Sequence, residues 1–140
     1  ARMAGRRISG VHEKEMEIRW RDMDAFGHVN NSVFLTYLEE VRDEWLERAV
    51  LPVGGNTWNF VLARVAIDFR SEITQEDDVI VGRCGLVRLG TGSVTTREEI
   101  RTRDGRLVAE AESVLVAFDQ ESRAARTITD AERAGFEAVA

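Results

Sequence analysis

The sequence predicts an α+β domain in which a curved antiparallel sheet of about five strands wraps around one long helix. Three observations carry this reading. Residues 33–49 hold a single helical stripe of apolar side chains. From residue 60 to residue 118 the chain alternates with the period of a strand. The links between those later strands are too short for parallel crossovers, which need a dozen or more residues.

Taken in order, the first element is a strand over residues 15–21, with Met16, Ile18 and Trp20 on one face and Glu15, Glu17, Arg19 and Arg21 on the other. The period then changes. Phe34, Leu38, Val41 and Trp45 fall four, three and four residues apart, while Glu39, Arg42, Asp43, Glu47 and Arg48 line much of the remaining helix surface. Asn30 or Asn31 caps the start, because an asparagine side chain accepts from first-turn amides, and Pro52, Gly54 and Gly55 end the helix. Strands follow over residues 60–70, 79–89, 94–103 and 107–118, joined by short links such as Gly90-Thr91-Gly92 and the hairpin turn Asp104-Gly105. A small amphipathic helix over residues 129–139, capped by Thr129 or Asp130, closes the chain.

The central helix must bury its stripe against one sheet face, so Val33, Phe34, Tyr37, Leu38, Val41 and Trp45 face the sheet. That arrangement leaves sheet edges open, a liability that association between copies relieves. A homodimer or homotetramer is therefore expected.

Composition bounds the function. The chain has 140 residues, 44% hydrophobic and 31% charged, which suits one domain with its own core. A net charge of −6 argues against nonspecific nucleic-acid binding. Cys84 stands alone and reads as a small core residue, and two histidines, His12 and His28, give little basis for a zinc cluster. The longest charge-free stretch, residues 49–63, is broken by Pro52, Gly54 and Gly55, so no membrane span is expected. Residues 1–7 are basic without an apolar run; residues 1–12 are read as a flexible arm, residues 13–140 as the domain, and the location as cytoplasmic.

Chemistry concentrates between residues 21 and 31, where Asp22, Asp24, His28, Asn30, Asn31 and Gly27 lie just before the helix. A helix start offers unpaired N–H groups and the positive end of the dipole, which suit a developing oxyanion. A carboxylate beside it can serve as general base or nucleophile on the same carbonyl. These parts fit acyl transfer to water. Read as ordinary turn and capping residues, the same side chains need no function. Gly90-Thr91-Gly92 lacks the Lys-Ser/Thr of a phosphate loop, and no Gly-x-Ser-x-Gly elbow is present.

The motif Asp-x-Asp-x-x-Gly-His-Val-Asn-Asn, followed by Phe34 and a glutamate-rich helix, resembles the hotdog-fold acyl-CoA thioesterases, in particular the 4-hydroxybenzoyl-CoA thioesterase-like and long-chain acyl-CoA group. The resemblance runs from about Glu15 to Phe118. It implies hydrolysis of acyl-CoA to free acid and CoA, with Asp24 as catalytic carboxylate, the amide near Asn31 as donor to the thioester oxygen and His28 in an auxiliary role. Gly27, Val29, Asn30 and Phe34 are the expected substrate contacts. Glu39 and Glu40 each match an acidic position of one branch. Phe26 stands where the plant acyl-carrier-protein enzymes carry asparagine, so their full residue set is not reproduced, which weakens an acyl-carrier-protein substrate. In such enzymes a second subunit completes the site, and Arg64, Thr91, Gly92 and Ser93 are candidates for that contribution. No metal or organic cofactor is implied. Two other readings are a hotdog hydratase or dehydratase of acyl thioesters and a non-catalytic acyl-CoA-binding module.

Overall fold

Alternation at the start of the chain begins earlier than residue 15 in the structure, a computed structural model that describes residues 10–140. The first strand, β1, spans Val11–Glu17 and pairs antiparallel with β3, Val79–Leu89. The arm expected over residues 1–12 therefore yields Val11 and His12 to the sheet, and its residues 1–9 lie outside the described residues. The far end of that strand is also corrected. Met16 and Ile18 point inward, but Trp20, expected beside them, is 84% exposed. The cause is a 3-10 turn over Trp20–Asp22, in which Asp22 folds back onto the Arg19 amide at 3.0 Å and turns Trp20 outward.

The central helix α1 spans Val33–Val50, and the remaining strands are β2 (Phe60–Phe69), β4 (Ser93–Thr102), β5 (Leu107–Asp119) and the short β6 (Ala124–Ala125). The main sheet runs β1-β3-β4-β5-β2, antiparallel throughout, with β6 paired to β5. Five strands curl around α1, as the sequence predicts. Phe34, Tyr37, Leu38, Val41 and Trp45 are buried on the sheet side. Sheet and helix come close at Gly82 of β3, where a Cβ would sit 3.0 Å from the Val41 Cβ and 2.8 Å from the Met16 Cε. The last helix, α2 (Asp130–Ala138), begins in a capping box in which the Thr129 side chain accepts from the Glu132 amide.

Apolar side chains form two clusters along α1. One gathers Met16, Ile18, Val29, Phe34, Tyr37 and Leu38 at its start, the other Trp45, Leu46, Phe60, Leu115 and Phe136 at its end. Between them lies a buried polar layer that periodicity does not announce. Arg42, expected on the solvated side of the helix, is 5% exposed; it donates to Ser113 Oγ at 3.2 Å, and Ser113 donates to Glu98 Oε1 at 2.7 Å. Thr96 and Cys84 also donate to the Glu98 carboxylate. Cys84 is fully buried, and burial together with the neighbouring Glu98 charge pushes its thiol well above its ordinary range, as suits a core residue.

Strand β2 is an edge. It pairs only with β5, through a bulge between Leu62 and Arg64, and its outer side has no partner strand among the described residues. Val61, Leu62 and Phe69 are exposed along it. None of the helices among the described residues is long and apolar enough to cross a membrane.

Candidate active site

Residues 22–30 form a narrow ribbon. Met23 and Val29 face each other in a bridge, the Asp24 amide donates to the His28 carbonyl at 2.9 Å, and the Asn30 amide donates to the Asp22 carbonyl at 3.0 Å. Gly27 closes the ribbon's tip with φ of +83°, a conformation that favours glycine, and its amide donates to the Asp24 carbonyl at 3.1 Å. The ribbon presents Asp24 and His28 side by side: Asp24 Oδ2 lies 3.7 Å from His28 Nδ1, while Asp24 Oδ1 accepts from the Phe26 amide at 2.9 Å. One carboxylate oxygen therefore maintains the turn and the other faces the imidazole. Phe26 stacks on the His28 ring at 5.8 Å and is itself 84% exposed.

The start of α1 departs from the expected cap. Ser32 is the residue before the first helical turn, and Asn30 Oδ1 accepts from both the Ser32 amide at 2.9 Å and its hydroxyl. The amides of Val33, Phe34 and Leu35 are taken by the carbonyls of Asn30, Asn31 and Ser32. That leaves the Asn31 N–H, which has no acceptor among the described residues. It is the free donor at the positive end of the helix.

Beside it opens a cavity of about 250 Å³ lined by His28, Val29, Asn31, Phe34, Phe69, Arg70, Ser71 and Glu72. Four expected site residues thus meet here. Phe69 packs edge-on against Phe34 with centroids 5.1 Å apart, which gives the cavity an apolar wall. Asp24, Gly27 and Asn30 do not line it: Asp24 stands 3.7 Å from the lining residue His28, and Gly27 and Asn30 stay in the ribbon and the cap. The stretch from Phe69 to Glu72 is the contribution that sequence reading missed. It alternates like the end of a strand, and only the fold brings it across from the helix start.

The remaining candidates lie elsewhere in the chain. Arg64 is on β2, exposed and 3.5 Å from Glu112, and does not line the cavity. Thr91 and Gly92 lie in the β3–β4 turn and Ser93 opens β4; the Thr91 carbonyl accepts from the Ile128 amide and the Gly92 carbonyl from the Ala117 amide. Glu39 and Glu40 are exposed on α1 and line no part of the cavity.

Asp22, the other carboxylate of the motif, is structural. It is 2% exposed and accepts from the Tyr37 hydroxyl at 2.6 Å, the Arg19 amide and the Arg19 guanidinium. Burial opposes its ionisation, but these donors outweigh burial and hold its carboxyl below the ordinary value of 3.8. A lowered folded pKa stabilises the fold above that ordinary value, and the contribution is lost as pH falls through the folded value. Asp22→Asn is therefore expected to cost about 1–3 kcal/mol near neutrality, and to flatten the acid side of the stability-against-pH curve. Urea titrations of both proteins between neutral pH and pH about 2.5 test this; a parallel loss in the two proteins refutes it.

With the geometry in place, relatives decide the family. The family model for the thioesterase-like superfamily matches residues 18–136. The chain belongs to that superfamily. A predicted thioesterase from Bacillus stearothermophilus superposes with a TM-score of 0.82 at 23% identity, over 92% of this chain and 96% of that one. A Thermus thermophilus thioesterase complexed with coenzyme A and Zn gives 0.81 at 27% identity, over 91% and 92% of the two chains. A 1,4-dihydroxy-2-naphthoyl-CoA thioesterase from Synechocystis gives 0.74 at 18% identity, over 91% and 96%, and like the Bacillus protein it speaks for the fold alone. By sequence, the chain is 42% identical over 43 residues to the Arabidopsis thaliana acyl-acyl carrier protein thioesterase ATL3, chloroplastic. That match spans 31% of this chain and 23% of the plant protein's length. Family and neighbours together support a thioesterase, an enzyme of thioester hydrolysis in general.

Proposed function

We propose that this superfamily member hydrolyses acyl-CoA thioesters to free acid and CoA. The observation that carries the reading is a cavity lined by both His28 and Asn31, the latter with an N–H unpartnered among the described residues, and the Asp24 carboxylate 3.7 Å from the His28 ring. The thioester carbonyl points at the Asn31 N–H, whose dipolar environment favours the negative oxygen that forms on attack. In one route Asp24 takes a proton as water adds to the carbonyl carbon; the tetrahedral intermediate collapses, the C–S bond breaks and the proton passes to the departing thiolate. In the other, Asp24 attacks the carbonyl itself, thiolate leaves, and water cleaves the resulting mixed anhydride to restore the carboxylate. His28 orients Asp24 or the water. Gly27, Val29 and Asn30 frame the reacting group, and the acyl chain runs against Phe34 and Phe69.

CoA as the carrier is supported by the Thermus thermophilus neighbour, which is complexed with coenzyme A. A homodimer or homotetramer is supported by the exposed apolar side chains and the unpaired side of β2, which a second copy of the same strand would extend into one sheet. Arg64, Thr91, Gly92 and Ser93 then serve the partner's site. The protein is expected to act in the cytoplasm.

Thiol release, followed with a chromogenic disulfide over aliphatic and aromatic acyl-CoAs, is the direct test. One thiol per acid released is expected from at least one ester, from a particle of at least twice the 15.8 kDa chain mass in sedimentation equilibrium. Binding of every ester without thiol release refutes the reading in favour of a binding module. Loss of enoyl-CoA absorbance without thiol release refutes it in favour of a hydratase.

A further inference from the structure

The cavity wall opposite α1 is held by a residue that does not touch the cavity. After β2 ends, the amides of Arg70 and Ser71 both donate to the Val108 carbonyl, at 2.7 and 3.1 Å. Two residues on, the Ile73 carbonyl accepts from the Val29 amide at 2.8 Å, which ties the wall to the ribbon that carries Asp24 and His28. Arg106, in the β4–β5 turn, reaches across to this stretch. Its Nη1 donates to Ser71 Oγ at 2.7 Å and to the Glu72 carbonyl at 2.9 Å, and its Nη2 lies 3.2 and 3.3 Å from the Asp77 carboxylate oxygens.

Both ends of the clamp are fixed. Asp77 accepts from the Thr74 amide at 2.9 Å in the capping box of a 3-10 turn. The Arg106 backbone exchanges bonds with Thr102, its amide donating to Thr102 Oγ1 and its carbonyl accepting from the Thr102 amide, each at 3.0 Å. Gly105, with φ of +97°, turns the chain so that Arg106 faces the wall. Yet Arg106 belongs to neither apolar cluster, and its side chain is 43% exposed.

We propose that Arg106 is a positioning residue that sets the width of the acyl slot between the start of α1 and the wall from Phe69 to Glu72, and thereby which acyl groups the enzyme accepts. The inference rests on the acyl-CoA reading and adds a specificity role to it. The Phe34–Phe69 side of the slot discriminates by methylene-sized differences, so a wall that relaxes outward alters selectivity before it alters chemistry. The fork of the guanidinium spans Ser71, Glu72 and Asp77 together; a lysine ammonium is a single point charge and holds one side at a time.

The test compares the parent with Arg106→Ala and Arg106→Lys on butanoyl-, octanoyl-, hexadecanoyl- and benzoyl-CoA. In Arg106→Ala the kcat/KM ratio between the best and worst esters is expected to change by about tenfold or more, carried more by KM than by kcat, with the unfolding midpoint near the parent's. Arg106→Lys should fall between. Amide hydrogen exchange at Val29, Arg70 and Ser71 is expected to speed up in Arg106→Ala while the core strands stay protected. An active parent whose ester preference survives in Arg106→Ala overturns the role of Arg106 alone. A parent that releases no thiol from any ester overturns the thioesterase reading and the specificity role with it. Unchanged exchange at those three amides overturns the clamp, whatever the substrates do.

Discussion

Asp24→Asn is expected to lower kcat for acyl-CoA hydrolysis by about 10²–10⁴ while leaving KM within a few-fold, since a positioned base contributes roughly that much. Asparagine is the informative replacement. Its Oδ1 still accepts from the Phe26 amide, as the aspartate does at 2.9 Å, so the turn that aims the side chain survives. What is lost is the carboxylate oxygen that faces His28, the proposed base or nucleophile. Alanine would remove the turn bond as well, and a fall in rate would then report loop disorder and chemistry together. Single-turnover thiol release with the parent's best ester measures the effect. Parental turnover in the asparagine variant removes Asp24 from the mechanism and leaves the Asn31 amide without its partner in catalysis. His28→Asn should have a smaller effect, because in both proposed routes His28 works through Asp24 or a water.

The second large effect concerns stability. Arg42→Met is expected to destabilise the fold by about 3–5 kcal/mol, because it strands the Glu98 carboxylate without its cation. Glu98 is fully buried, and Ser113, Thr96 and Cys84 supply hydrogen bonds but no charge. Adding Glu98→Gln to Arg42→Met should recover much of the loss, since an amide carries no charge to strand and still accepts from Ser113. Urea unfolding of the two single variants and the double variant closes the cycle. If Arg42→Met costs less than about 1 kcal/mol, the layer is solvated in solution and the ion pair does not bear on stability. The pair is not an argument for exceptional stability. It sits between two apolar clusters, where an apolar pair of similar volume would serve as well, and it links α1 to β4 and β5 through Glu98 and Ser113.

Much of this architecture is legible in the chain itself. The spacing of Phe34, Leu38, Val41 and Trp45 marks the buried face of α1, and the alternation from Phe60 onward marks four antiparallel strands, because both periods are imposed locally by backbone geometry. The position of the ribbon before the helix is legible for the same reason: Gly27 and the asparagines punctuate it. Trp20 and Arg42 misled in opposite directions. A tryptophan in phase with a strand reads as buried, yet the Asp22 turn breaks the phase and exposes it. An arginine among charged helix residues reads as solvated, yet a glutamate on β4 draws it inward. In both cases the deciding partner is distant in sequence or polar, and hydrophobic periodicity carries no information about either.

For the site, sequence alone determined the chemistry available: a carboxylate, an imidazole and a helix start within ten residues, joined by short-range turn and capping bonds. Tertiary structure decided which groups face one space. Only folding places Phe69 to Glu72 opposite Asn31, and only side-chain packing buries Asp22 under Tyr37 while leaving Asp24 beside His28. The division follows from the range of the forces: turns, caps and helical stripes are settled between near neighbours, whereas a cavity is the gap left when distant segments have buried everything else.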